Sequence, residues 1–445
     1  MYRKMRKQTV GKKEIMNQRL RVSDNRRFLQ HENGEPFFYL GDTAWEIFHR
    51  LTRDEADLYL ETRAAQGFNV IQAVVLPEID GLRVPNREGH LPLIDNDPTQ
   101  PNEAYFQLVD YVIDKTASLG MFVGLLPTWG DKWNTAWGSP FSSGTIFTSE
   151  NAAIYGEFIG RRYADKPVIW ILGGDRPVEN DDHRAIINAM AEGLGRGDGG
   201  AHLQTFHPMG GKTSSENFHD ADWLDFNMWQ TGHASPDLES ADAIAGDYNL
   251  TPTKPCMDSE PRYEDHPIMG MPWNWNGKDW FSTQDIRTAA YHAVFAGACG
   301  HTYGCHDVWQ MLDETREPIN HARTPWREAI HLPAASQMQH VRALIESRPY
   351  FSRIPDDTLI LSDANAGRHR VVATRDTDSS YALVYIPSGQ ATTIDCSRLS
   401  GENLVASWFD PRNGELQEFE TFAREESKTF APPTNEDWVL VLDAR

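Results

Sequence analysis

The sequence predicts an α/β chain: a (β/α)8 (TIM) barrel followed by a small antiparallel β-sandwich. Three observations carry this. From about residue 36 to 345, short apolar runs alternate with longer amphipathic ones. Beyond about 354 the texture changes to short runs broken by Asn, Asp and Gly turns. The first apolar run ends in Gly41-Asp42-Thr43-Ala44-Trp45. That is not the glycine-rich phosphate loop that usually follows the first strand of an open doubly wound sheet.

The elements follow in order. Residues 36–45 read as a strand with a polar tip, and 52–67 as a helix that Gly67 ends. Residues 68–76 are apolar and β-branched, as a strand buried on both faces should be. Residues 102–120 carry apolar side chains at 105, 106, 108, 109, 112 and 113 with Gly120 as cap, a helical pattern. Strands are then expected at 121–129, 167–175, 202–208, 224–232, 255–264 and 301–309. Helices are expected at 151–164, 181–194, 239–248, 283–300 and 326–348. That makes eight strand–helix units, the fifth with a short or irregular helix. In the tail, the Asp410–Glu415 stretch DPRNGE looks like a hairpin turn. The organisation expected is a flexible N-terminal arm (1–18), a catalytic barrel (19–350) and a β-sandwich (351–445).

Composition narrows the function. Among 445 residues, 42 Lys and Arg face 64 Asp and Glu, a net charge of −22. Nucleic acid and anionic membranes would be repelled, so neither is expected as a partner. No window approaches the roughly 18 apolar residues of a membrane span. The N-terminus is basic and polar without the apolar core of a secretory signal, so a cytoplasmic location is expected. Four cysteines are too few for a disulfide scaffold and read as reduced, with Cys256 and Cys299 as small buried hydrophobes. Fourteen Trp is a high number, and several, including Trp129, Trp133, Trp137, Trp229, Trp273, Trp275 and Trp309, stand beside turn-like polar residues. Flat aromatic faces suit the C–H faces of sugar rings as well as core packing.

A parallel barrel carries its active site at the C-terminal ends of its strands. The polar residues there are Asp42 and Trp45, Gln72 and Glu78, Trp129, Asp175 and Arg176, His207, Asn227 and Gln230, Glu260 and Arg262, then His301, Tyr303, His306 and Asp307. Carboxylates, amides, His and Trp suit a polyhydroxylated ligand; there is no nucleophile elbow and no phosphate loop. In VIWILGGD (168–175) an apolar run passes through Gly173-Gly174 into Asp175. The glycines permit a sharp turn or a close approach to a ligand. An N-cap or an ion pair with Arg176 is the structural alternative for Asp175. In CMDSEPRYE (256–264), Glu260 precedes a proline, which places it at a strand end or in a loop. Asp258 and Glu264 are its rivals, and a structural salt bridge is its alternative reading. Carboxylates ending strands four and seven would face each other across the barrel mouth, where one can protonate a leaving oxygen while the other attacks the anomeric carbon or activates water. The sixteen His form no H-E-x-x-H or other tight ligand spacing, so neither a metal nor another cofactor is expected.

The stretches RLRVSDNRRFLQHENGEPFFYLGDTAW (19–45), GFNVIQAVVLPE (67–78), VIWILGGDRP (168–177) and MDSEPRYE (257–264) carry a family resemblance. The chain resembles the apiosidase-like glycoside hydrolases. Its ASWFDPRNGE (406–415) is similar to that family's C-terminal domain, which bears a collagen-binding name. The resemblance implies a barrel with an Asp acid/base, here Asp175, and a Glu nucleophile, here Glu260. Characterised relatives act on apiose-linked side chains of a plant pectin. The wider clan of retaining barrels usually has Asn-Glu where this chain has Gly174-Asp175. Substrate-binding residues expected beside the two acids are Asp42, Trp45, Gln72, Trp129, His207, Gln230, Tyr303 and Trp309. The alternatives to an oligosaccharide hydrolase are a non-catalytic carbohydrate-binding barrel and a protease or collagen-binding protein; no protease constellation is visible. Tyr381, Tyr385, Trp408 and Phe409 of the tail are possible sugar platforms, although their alternating strand patterns favour bracing of the barrel.

Overall fold

The computed structural model describes residues 19–135, 142–237 and 240–445. The expected arm at 1–18, Trp137 and the first residue expected of the 239–248 helix lie outside the described residues.

Eight parallel strands form the barrel: β1 (Tyr39–Thr43), β2 (Val70–Val74), β3 (Phe122–Leu126), β4 (Val168–Gly173), β5 (Gln204–His207), β6 (Asn227–Gln230), β7 (Cys256–Asp258) and β8 (Gly300–Tyr303). Hydrogen-bonded neighbours run β5-β4-β3-β2-β1-β8-β7-β6. Between β5 and the approach to β6 the ring closes through the Asp225 amide, which donates to the Gln204 carbonyl at 2.9 Å. Thr205 Oγ1 donates to Phe226 O at 2.7 Å beside it. Every strand residue from β1 to β5 is buried, as strands sandwiched between helices and a filled interior must be.

Helices follow the strands where local chemistry starts and stops them. Arg53–Ala65 begins on a capping box between Thr52 and Glu55, and Ser149–Arg162 on one between Thr148 and Asn151. The unit after β5 has only the four-residue helix Ser215–Phe218. Several expected elements differ from the structure, among them the 301–309 run, which is a strand only over Gly300–Tyr303 and continues into the short helix His306–Trp309. The 255–264 run is a strand only over Cys256–Asp258, so Glu260 stands in the loop beyond it. The 283–300 helix is Thr283–Phe295, because Gly297 (φ 113°) turns the chain where a Cβ would strike the Tyr248 ring at 2.4 Å. The 326–348 helix is split into Trp326–Ala329 and Pro333–Glu346, with Pro333 opening the second piece.

The C-terminal part is an antiparallel β-sandwich of a six-stranded sheet and the pair Thr392–Asp395/Ser427–Phe430. Residues 410–415 make the turn between Asn403–Phe409 and Leu416–Ala423, closed by the Asp410 amide donating to Glu415 O. Tyr381, Tyr385, Trp408 and Phe409 are all buried. Tyr385 stacks on Tyr291 of the barrel with centroids 4.7 Å apart, and Trp408 lies under Phe419. None offers an open face to a sugar.

Candidate active site

β4 ends in three consecutive residues of positive φ: Gly173 (95°), Gly174 (103°) and Asp175 (44°). A Cβ on Gly173 would lie 2.4 Å from the His207 carbonyl, and one on Gly174 would lie 2.9 Å from the Gly130 amide. The glycines thus let β4 bend between its neighbours, and the bend turns Asp175 toward the mouth. Its Oδ1 accepts from the Gly210 amide at 3.2 Å, and its side chain keeps 27% exposure. Beside it, Arg176 is buried. It donates to Glu78 Oε1 at 2.7 Å and to the Asp175 carbonyl at 2.8 Å, and its guanidinium stands 3.8 Å from the Asp175 carboxylate.

Glu260 is held from two sides. His233, which follows β6, sets Nε2 at 3.1 Å from Oε1. His207, at the end of β5, sets Nε2 at 3.0 Å from Oε2, a close contact off the hydrogen-bond line. The other His207 nitrogen, Nδ1, stands 3.0 Å from the Pro208 carbonyl. The Tyr263 ring packs on His233 at 4.4 Å, and its hydroxyl accepts from Trp45 Nε1 at 3.2 Å. Gly304 leaves room for it: a Cβ there would lie 2.1 Å from the Tyr263 ring.

These surroundings drive the two acids apart. Burial, then the neighbouring Glu260 charge, pushes Asp175 up to about 7, against the pull of Arg176 and His207. Burial would raise Glu260 as well, but His207 and His233 outweigh it and hold that carboxyl at about 2. Near neutrality the pair therefore offers one proton donor and one carboxylate. Two acids separated by environment in this way can divide proton-donating and carboxylate chemistry between them.

Of the other expected residues, Trp45, Trp129, His207 and Gln230 gather here. Trp45 and Trp129 stand 5.2 Å apart, with the His207 ring 5.5 and 5.7 Å from them. Gln230 ends β6 beside Gly210. Asp42 stands apart: it faces the helix layer, fully buried, with Arg63 Nε at 2.7 Å and the Tyr59 hydroxyl on the same oxygen. Gln72 is inside the barrel, donating to Tyr39 OH and Thr302 Oγ1. Tyr303 also leaves the mouth, donating at 2.7 Å to Glu264, which accepts as well from Thr283 Oγ1 and the Ala334 amide. Glu264 is thus committed to the fold, and so is Asp258, which accepts from Thr231 Oγ1 at 2.6 Å. Trp309 sits on the short helix His306–Trp309 and donates to His306 Nδ1 at 3.2 Å. Sequence reasoning missed His233, one residue beyond the 224–232 run, and Tyr263, an aromatic inside the 255–264 run. Among the described residues, no group of three or more His, Cys, Asp or Glu is placed to hold a metal.

A sequence model described as the apiosidase-like catalytic domain matches residues 23–352. The chain belongs to the apiosidase-like family. A second domain model, named for collagen binding, matches residues 354–443. A solved structure called "Glycoside hydrolase" is 32% identical, with 96% of this chain and 97% of that one covered at a TM-score of 0.86. A glycoside hydrolase family 5 structure from Bacteroides vulgatus ATCC 8482 is 32% identical over 96% and 94%, also at 0.86. A GH30 endoxylanase from Clostridium papyrosolvens C71, 12% identical over 91% and 96% at a TM-score of 0.51, shares the fold alone. No curated protein sequence matches. This apiosidase-like chain is a glycoside hydrolase.

Proposed function

We propose that the enzyme cleaves an apiose-linked, pectin-derived oligosaccharide with retention of anomeric configuration, using Asp175 as acid/base and Glu260 as nucleophile. What supports the two roles is the placement of the acids: Asp175, at the sharp turn ending β4, accepts from the Gly210 amide and is pushed by burial toward its protonated form, whereas Glu260 lies between His207 and His233, which favour its carboxylate. Protonated Asp175 gives its proton to the leaving oxygen while Glu260 attacks the anomeric carbon. Asp175, now a carboxylate, then takes a proton from the water that releases the sugar. His207 and His233 stabilise the Glu260 carboxylate before attack, and the Gly210 amide orients Asp175.

The anomeric proton of freshly released sugar, followed by NMR, tests the stereochemistry. Retention gives first the anomer of the substrate linkage. Appearance of the opposite anomer would make Glu260 a base for water instead. The pH profile tests the roles: kcat/KM should require ionised Glu260 and protonated Asp175, and so should fall as pH rises through about 7.

A further inference from the structure

The loop between β7 and the following helix carries three tryptophans, Trp273, Trp275 and Trp280. Two of them hold the loop. Trp275 packs edge-on against Trp280 at 5.0 Å, lies 4.7 Å from His321, and donates Nε1 to the Asp279 carbonyl at 2.9 Å. Arg323 covers Trp280 at 3.7 Å. The loop is also tied to the segment that supplies His233: the Met269 amide donates to His233 O at 3.2 Å, and the Gly270 amide to Ala234 O at 2.9 Å.

Trp273 is different. Half of its surface is exposed, and it is the one exposed tryptophan among the large apolar residues described. Its ring lies 6.5 Å from that of His233 and 6.1 Å from that of His266, both edge-on. His233 is the residue that donates to Glu260 Oε1. An indole thus stands open to solvent one side chain out from the reacting carboxylate, on a loop fixed by its own packing. Met271, 83% exposed, extends the apolar surface. Exposed apolar area beside a catalytic centre marks a binding surface. In a glycoside hydrolase the flat partner that suits an indole is the C–H face of a sugar ring.

We infer that Trp273 is a stacking platform for a sugar ring other than the one Glu260 attacks, so that the substrate extends from the cleaved bond over the 266–281 loop. The inference rests on the catalytic placement of Glu260. The platform is preformed, so little ordering opposes binding.

The test is calorimetry in the inactive Glu260→Gln background, with a mixture of pectic side-chain oligosaccharides and, separately, with their constituent monosaccharides. Trp273→Ala should weaken oligosaccharide binding about tenfold or more, the loss expected when a contact tryptophan is truncated. Trp273→Phe should restore most of it, and monosaccharide binding should not change. Oligosaccharide affinity unaffected by Trp273→Ala, equal losses for oligosaccharide and monosaccharide, or no oligosaccharide binding at all would overturn the platform. Full activity of Glu260→Gln would instead overturn the catalytic reading on which it stands.

Discussion

Asp175 and Glu260 show what a residue's surroundings do to its chemistry. Asp175 in the folded chain keeps its proton to about 7, against an ordinary 3.8. Between those values the unfolded chain releases a proton that the folded one retains, so stability falls as pH rises through that window. Asp175→Asn should therefore raise the melting temperature by a few degrees at mildly alkaline pH and change it little in acid, while lowering kcat by about 10²–10⁴-fold. Thermal melts at the two pH values check the first part and steady-state kinetics the second. Glu260 has the opposite sign: its depressed value contributes stability above 4.5 that is lost as pH falls toward about 2. His233→Ala removes one of its two histidine contacts. The acid limb of kcat/KM should move up from about 2 toward 4.5, and an unmoved limb would show that His233 does not act through Glu260. The two acids stand out in the sequence because each sits at a conformationally marked position, Asp175 after Gly173-Gly174 and Glu260 before Pro261. Asp42, Gln72 and Tyr303 were misplaced for a physical reason. A strand buried on both faces carries no polar alternation, so the sequence does not tell a side chain facing the mouth from one facing a helix.

At the scale of the element, the strand-four turn does the positioning. Gly174→Ala would force a side chain to φ 103° and against the Gly130 amide. A cost of about 1–3 kcal/mol is expected, together with a fall in kcat larger than any rise in KM, because Asp175 would be re-aimed. Denaturant melts paired with kinetics separate the two effects. Element existence was legible throughout the barrel from alternation and caps. Element ends were not, and the causes are specific. Pro333 divides what reads as one amphipathic helix. Gly297 ends another at a place fixed by Tyr248, a residue distant in sequence. His233 was invisible for a similar reason, since only the folding of β6 beside β7 brings it to Glu260.

At the scale of the molecule, the sandwich and the barrel are joined by a buried charge pair. Arg287 donates Nε and NH2 to the two oxygens of Asp437 at 2.8 and 2.7 Å, and Tyr385 donates to the same carboxylate. The Tyr291–Tyr385 stack lies alongside. Arg287→Ala leaves the Asp437 charge buried and should cost about 3–5 kcal/mol, read as a lowered unfolding midpoint. A neutral result would mean that water reaches the pair. This joint consumes Tyr385 in packing, while Trp408 is consumed inside the sandwich against Phe419. The most direct test of the whole account is a product assay on pectic side-chain oligosaccharides and aryl glycosides, with wild type and Glu260→Gln compared by chromatography. Release of a monosaccharide by wild type, reduced to background in Glu260→Gln while that variant melts as a folded protein, is the expected result. Release undiminished in Glu260→Gln would contradict the account and remove Glu260 from the chemistry.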